Sequence, residues 1–240
     1  MPAGGLLELR GVCQGDAVGN PEASMRAFLF SPKINPAGCA YDAVSAQFVR
    51  KKYKRRKLAE FAASMKIMNY AEIKKVDVAN GPGVRVSLFV SGCTHHCPGC
   101  FNPETWDFSF GTEFGEAEIE KILTLLAPDY VEGLTILGGE PFEPQNQEAV
   151  LKLVKRVRKE LPGKSIWCFS GYIYEFLADG KIGEHSRELL RQLDVLVDGP
   201  FVMKMKDLKL KFRGSSNQRI IDVPASLKAG KAIPAGKYMV

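Results

Sequence analysis

Val84-Arg85-Val86-Ser87-Leu88-Phe89-Val90 runs straight into Ser91-Gly92-Cys93-Thr94-His95-His96-Cys97-Pro98-Gly99-Cys100. The first seven residues are rich in β-branched and aromatic side chains and predict a strand. The loop after them holds three of the chain's six cysteines within eight residues, spaced C-x3-C-x2-C. A strand that ends on such a loop fits a parallel α/β fold, which places its chemistry beyond the carboxyl ends of its strands. The number of sulfurs matters too. Three thiolates leave a zinc ion or a four-iron cluster one ligand short. A metal centre with an open position is built to bind and change something, so an enzyme is expected.

Outward from this loop the chain alternates strand and helix. Glu116 to Leu126 sets Ile119, Ile122, Leu123 and Leu126 at helical spacing, and Pro128 stops it. Leu134-Thr135-Ile136-Leu137 is a short apolar strand that ends at Gly138-Gly139. Gln147 to Leu161 is a second amphipathic helix, Ser165 to Phe169 a third strand, Glu184 to Leu193 a third helix, and Val195-Leu196-Val197 a fourth strand. Repeated units of this kind predict a parallel sheet with right-handed crossovers. The strand ends carry the cysteines, Gly138-Gly139-Glu140-Pro141, Ser170-Gly171-Tyr172 and Asp198-Gly199-Pro200, four small and polar loops that would share one rim. A full eight-unit barrel takes about 250 residues, so the stretch 65–240 predicts a partial one.

Residues 1–64 read differently. Gly and Pro recur irregularly, Cys13 and Cys39 lack metal-like spacing, and no period is sustained before about Ala40. The working domain is expected to begin at Met65, with 1–64 a disordered extension or a misassigned start. The net charge of +6 also divides unevenly. Residues 1–64 hold ten Lys/Arg against five Asp/Glu, whereas 65–240 hold 23 against 22. Most of the excess lies in Arg50 to Lys57, which is read as a solvated stretch; nucleic acid is not an expected partner. No apolar run approaches the about 18 residues that would span a bilayer, and no secretory signal opens the chain. A reducing cytoplasm, where clustered cysteines hold metal, is the expected location.

Thiolates favour iron–sulfur clusters, zinc and copper(I) over hard cations. A closed zinc site would need His95 or His96, yet both sit inside the loop between Cys93 and Cys97, where completing a tetrahedron with all three sulfurs is awkward. The reading favoured over zinc or a plain thiol role is a cluster with one uncapped iron. Gly138 and Gly139 have no Cβ and allow close backbone approach to a ligand, and Glu140 can accept hydrogen bonds from an ammonium group. Cys168, inside an apolar strand, reads as a small buried hydrophobe, and Trp106 as packing for the cysteine loop.

Cys-x3-Cys-x2-Cys after one strand and Gly-Gly-Glu-Pro after the next resemble the radical S-adenosylmethionine (SAM) enzymes. Asn80-Gly81-Pro82-Gly83-Val84-Arg85 and Cys97-Pro98-Gly99-Cys100-Phe101-Asn102-Pro103-Glu104-Thr105-Trp106 resemble the glycyl-radical activating branch. Leu196 to Phe201 and Arg213-Gly214-Ser215-Ser216-Asn217-Gln218-Arg219 are similar to the activating proteins of anaerobic (class III) ribonucleoside-triphosphate reductases. The likeness spans roughly Met68 to Val223. It implies an incomplete β/α barrel of the radical SAM type, with a [4Fe–4S] cluster on Cys93, Cys97 and Cys100 and SAM on the open iron. Gly138, Gly139 and Glu140 would clamp the SAM amino group, Gly99 and Phe101 would lie against adenine, and Ser170 and Asp198 would contact ribose or carboxylate unless they are only loop caps. The implied reaction is reductive cleavage of SAM, followed by hydrogen abstraction from a glycine of the reductase. Nothing in it needs a general base. A low-potential donor such as flavodoxin or ferredoxin would supply the electron. The alternatives are an activase for another glycyl-radical enzyme such as pyruvate formate-lyase, against which Arg213 to Arg219 argues, and a non-catalytic zinc or electron-transfer module.

Overall fold

A seven-stranded mixed sheet organises residues 68–238, the part of the chain that the computed structural model describes. The segment 1–64 and the domain start expected at Met65 lie outside the described residues. Four strands form the parallel centre: β2 (Val84–Val90), β4 (Val131–Gly138), β5 (Ser165–Phe169) and β6 (Val195–Asp198). They stand side by side in chain order. Helix α1 (Glu116–Leu126) bridges β2 to β4, α2 (Gln147–Glu160) bridges β4 to β5, and the short α3 (Tyr174–Ala178) and α4 (Ser186–Leu190) bridge β5 to β6. The central strands and the first two helices fall within a few residues of their expected bounds; the third helix, expected over Glu184 to Leu193, is shorter, Ser186–Leu190, and α3 was not expected.

The flanks were not legible. β1 (Asn69–Asp77) pairs antiparallel with β2, the two-residue β3 (Thr112–Glu113) pairs antiparallel with β1, and β7 (Arg219–Asp222) pairs antiparallel with β6. A last helix, α5 (Val223–Ala229), follows, with the Asp222 side chain accepting from the Ala225 amide as its N-cap. The order β3-β1-β2-β4-β5-β6-β7 does not close on itself, so the sheet is open, although the outer side of β7 is bonded to residues 233–235 (Asp222 N–H to Ile233 O, 2.9 Å; Ala235 N–H to Ile220 O, 2.8 Å). The fold class is α/β, as expected, with a mixed rather than wholly parallel sheet. No helix among the described residues is long and apolar enough to cross a membrane.

The period of two in each strand separates the faces. Val86, Leu88 and Val90 of β2, Leu134 and Ile136 of β4, Ile166 and Cys168 of β5 and Leu196 of β6 meet the buried stripes of the helices. Ile119, Ile122 and Leu126 of α1 and Val150, Leu153 and Val157 of α2 are buried in that layer, and each such side chain contributes about 1.5–3 kcal/mol. The opposite face carries Trp167, Val195, Val197 and Ile220, closed over by Phe212, Ala235 and Tyr238 from the C-terminal segment.

One charge lies in that second layer. Arg85 is wholly buried, and its guanidinium donates to Thr135 Oγ1 (2.6 Å), Ser165 Oγ (2.9 Å), Leu134 O (2.7 Å) and Ser165 O (3.1 Å). It sits 5.5 Å from the Trp167 ring centre. Burial pushes its pKa down to about 10, because its donors meet neutral oxygens and no carboxylate. The side chain ties β2, β4 and β5 together at their amino-terminal ends. Arg85→Ala should therefore lower stability by about 3 kcal/mol, from a void plus abandoned acceptors. Urea unfolding measures this, and an unchanged midpoint would remove the tie.

Candidate metal centre

Register brings the expected site residues together. Val90 pairs with Gly138 and Phe89 with Leu137, so β2 and β4 end level. Beyond the ladder their backbones stay in contact: the Gly139 N–H donates to Val90 O at 2.7 Å and the Glu140 N–H to Gly92 O at 2.8 Å. On its other side the cysteine loop is held by a 3₁₀ turn at Pro103–Trp106, with the Gly92 N–H donating to Thr105 O (2.8 Å) and the Cys93 N–H to Trp106 O (3.1 Å). This seam explains both glycines. Gly138 has φ +103°, and a Cβ there would lie 2.8 Å from Val90 O. A Cβ on Gly139 would lie 2.6 Å from Gly92 O and 2.9 Å from Thr105 O. Their lack of a side chain thus serves the approach of protein backbone, a different demand from the ligand approach expected from sequence.

Buried polar side chains finish the clamp. The Asn146 Nδ2 donates to Ser91 O and to Glu140 O, both at 2.9 Å. Glu143 Oε1 accepts from the Thr94 amide (2.8 Å) and Thr94 Oγ1 (2.6 Å). Glu140 is 1% exposed and its two oxygens have four partners. Oε1 accepts from the Phe142 amide and Ser170 Oγ, each at 2.9 Å, and Oε2 accepts from the Gly171 amide at 2.7 Å and meets His95 Nε2 at 3.1 Å. That last bond raises the His95 pKa against the opposing effect of burial. Glu140 thereby joins the cysteine loop to the ends of β4 and β5. Thr94, Glu143 and Asn146 were missed at the sequence level, because polar residues in a turn-rich stretch look like ordinary loop caps until the burial of Glu143 and Asn146 and their bonds to the cysteine loop set them apart.

The three cysteines line one cavity of about 470 Å³ that opens on the face opposite the helices. Its wall includes Gly138, Gly139, Glu140 and Ser170, then Phe89, Leu137 and Phe169 from the sheet, with Phe101, Phe201 and Phe212 around it. Cys93 is buried, whereas Cys97 and Cys100 are half-buried. Each sulfur faces backbone amides: those of His95 and His96 at Cys93, that of Phe201 at Cys97, and that of Asn102 at Cys100 (3.4 Å). Burial still pushes the Cys93 thiol up to about 12 and the Cys97 thiol upward, so a bound cation must supply the charge that replaces the proton.

These sulfurs fit an iron–sulfur cluster. Amide donors to sulfur are one of the means by which proteins set a cluster's potential. Among the described residues no three His, Cys, Asp or Glu side chains form a single-ion site. A cube needs no such convergence, because each thiolate takes its own iron. Both histidines are engaged elsewhere: His95 with Glu140 and 4.4 Å from the Tyr172 ring, and His96 stacked on Trp106 at 4.8 Å. Trp106 is therefore packing for the loop.

The remaining expected residues divide. Ser170 reaches the cavity wall and orients Glu140. Asp198 is wholly buried, accepting from the Tyr174 amide at 2.7 Å and from Arg219 Nε at 2.9 Å, and Gly199 is the residue of that loop on the cavity wall. The Arg219 pKa is raised by Asp198 first and Glu175 second. Phe101 is 58% exposed, packed edge-on against Phe201 at 5.3 Å rather than in a core. Cys168 points into the helix-covered core, away from the cavity. In the Arg213–Arg219 stretch, Gln218 Oε1 accepts from the Gly214 and Ser215 amides while its Nε2 donates to Gly199 O, which fastens this loop beside the cavity.

Comparison with known proteins agrees with this geometry. Residues 79–221 match the family described as 4Fe-4S single cluster domain. A protein of Escherichia coli K12 named anaerobic ribonucleoside-triphosphate reductase-activating protein is 44% identical over 153 residues, covering 63% of this chain and 96% of the relative. Proteins with the same name in Vibrio cholerae (44% identity, 64% of this chain, 97% of the relative) and in bacteriophage T4 (40%, 64% and 93%) are similar over comparable stretches.

The seam can be tested without touching a sulfur. Gly139→Ala should push the cysteine loop off the end of β4 and cut iron uptake on anaerobic reconstitution at least about fivefold, although all the cysteines remain. Iron content equal to the parent protein would show that the seam does not position the ligands.

Proposed function

Since the chain belongs to the family of anaerobic ribonucleoside-triphosphate reductase-activating proteins and carries their 4Fe-4S single cluster domain, we propose that it generates the reductase's glycyl radical by reductive cleavage of SAM. The observation that carries this reading is the trio Cys93, Cys97 and Cys100, each sulfur facing backbone amides, on the wall of a cavity large enough for a nucleoside-sized cosubstrate. When bound, a reduced [4Fe–4S] cluster supplies one electron to the sulfonium of SAM, giving methionine and a 5′-deoxyadenosyl radical that takes a hydrogen atom from a glycine Cα. The open sheet is read as the incomplete barrel of the radical SAM type.

The chain's own residues hold and shield. Cys93, Cys97 and Cys100 hold three irons, and the seam with Gly138–Glu140 fixes the loop that carries them. Of the four donors on Glu140, two are backbone amides and one is a buried hydroxyl, so His95 on Oε2 is the partner that the SAM ammonium would replace. Adenine would lie against Phe101, which is on the cavity wall, and beside the Gly99 backbone. Ser170 acts through Glu140, and Asp198 through Arg219 and the β6 loop. Phe89, Leu137 and Phe169 give the cavity an apolar floor that keeps water from a reactive carbon. No residue need act as acid or base. A reducing compartment and a low-potential electron carrier complete the requirement. Arg213 to Arg219 favours the reductase over pyruvate formate-lyase as the partner.

Single Cys93→Ala, Cys97→Ala and Cys100→Ala changes should each abolish cluster absorbance and 5′-deoxyadenosine formation, because among the described residues no other thiol faces the cavity. Cys168→Ala should keep the parent's iron content. Anaerobic reconstitution, followed by spin resonance of the reductase after incubation with SAM and reductant, tests the whole reading. A glycyl radical that forms equally well with a cysteine variant would overturn it.

A further inference from the structure

A strip of alternating lysine and apolar side chains runs along the cavity's outer rim. Phe201-Val202-Met203-Lys204-Met205-Lys206-Asp207-Leu208-Lys209-Leu210-Lys211 connects β6 to the Arg213 loop. Lys204, Lys206, Lys209 and Lys211 are exposed, and none has an ion-pair partner among the described residues. By contrast, two lysines of α2 are paired, Lys152 with Glu116 and Lys155 with Glu188. The strip's one acid, Asp207, turns its carboxylate back to the Lys209 amide at 2.9 Å. Between the charges Met203, Met205 and Leu208 are 48%, 42% and 85% exposed.

The strip also begins on the metal centre. The Phe201 amide faces the Cys97 sulfur, and Phe201 packs on Phe101. The Met203 methyl fills the space that a Cβ on Gly99 would need, 2.2 Å from that position. Lys206 Nζ sits 5.1 Å from the Phe101 ring centre. Phe201 and Met203 thus cover part of a cysteine loop whose Pro98 and Gly99 are themselves exposed.

We propose that this rim is the docking surface for an acidic, low-potential electron-carrier protein. The inference rests on the cluster assigned above, and it adds where the electron enters. Tunnelling falls steeply with distance, so a carrier must approach the cluster's thinnest cover. Unpaired lysines attract an acidic surface and speed encounter, while exposed methionines adapt to a partner without locking it. A small, mixed patch suits a partner that must leave after one electron, as transient redox contacts do. The glycine to be oxidised must instead reach the cavity interior, over Phe89, Leu137 and Phe169. The two partners then need not compete.

The test uses the full chain carrying K204Q/K209Q/K211Q, reduced either by dithionite or by a reduced acidic flavodoxin. Four readouts apply: binding of the oxidised flavodoxin, bleaching of the cluster's visible absorbance, 5′-deoxyadenosine formed, and glycyl radical formed on added reductase. With flavodoxin, the dissociation constant should rise about tenfold, reduction should slow by a similar factor, and its decline with added salt should flatten. With dithionite, both rates should stay within about twofold of the parent's. Unchanged flavodoxin binding would overturn the proposal, as would an equal loss with both reductants. So would a defect confined to activation of the reductase, which would make the rim its contact instead. Absence of 5′-deoxyadenosine from the parent protein with either reductant would sink the function reading itself, while flavodoxin binding would still report on the rim.

Discussion

The contact on which this molecule turns is a short run of backbone against backbone. Two parallel strands end level, and instead of diverging into separate loops they stay hydrogen-bonded for two more residues through Gly139 and Glu140. Only glycine at 138 and 139 permits that distance. A loop carrying three cysteines is naturally mobile, and metal binding would have to supply the entropy of ordering it. Here the ordering is already supplied by Val90, Gly92, Thr105 and Trp106 as backbone partners and by Asn146 as a buried bridge. The sulfurs are therefore held in place by ordinary protein hydrogen bonds.

The rest of the fold serves that seam through a division between the two faces of the sheet. One face is closed by α1 and α2 and accounts for most of the buried apolar surface. The other is only partly covered, by Phe212, Ala235 and Tyr238, and leaves the cavity open beside the cysteines. Arg85 anchors that second face from beneath, whereas Arg219 with Asp198 and Glu175 ties β6 and β7 to α3 on the helix-covered side. Stability and chemistry thus occupy opposite sides of the same strands. This is why an apolar residue such as Cys168 can sit one strand from the site and take no part in it.

Much of this could be read before any coordinates. The central strands and the long helices announce themselves by period, since each buries a face or stripe large enough to dictate residue type. The cysteine loop announces itself by composition. β1 escaped because most of its residues are polar and only half-covered, and β3 because two residues carry no pattern. The Glu140 network was half legible: the residue stood out, but its four partners come from positions up to 45 residues away, and no local pattern encodes them. Asp198 shows the opposite case, a strand-end acid that looks like a ligand contact and is occupied by Arg219. Which face a loop side chain turns to depends on the neighbouring strand, and that information is tertiary.

The central claim is that the polypeptide gives three sulfurs to a four-iron cluster and leaves the fourth iron for SAM. Spin resonance of the anaerobically reconstituted, reduced protein, recorded before and after SAM is added, examines it most directly. A reduced-cluster signal with about four irons per chain, shifted by SAM, is the result the account requires. A silent zinc protein, or a cluster signal that SAM leaves untouched, would contradict it.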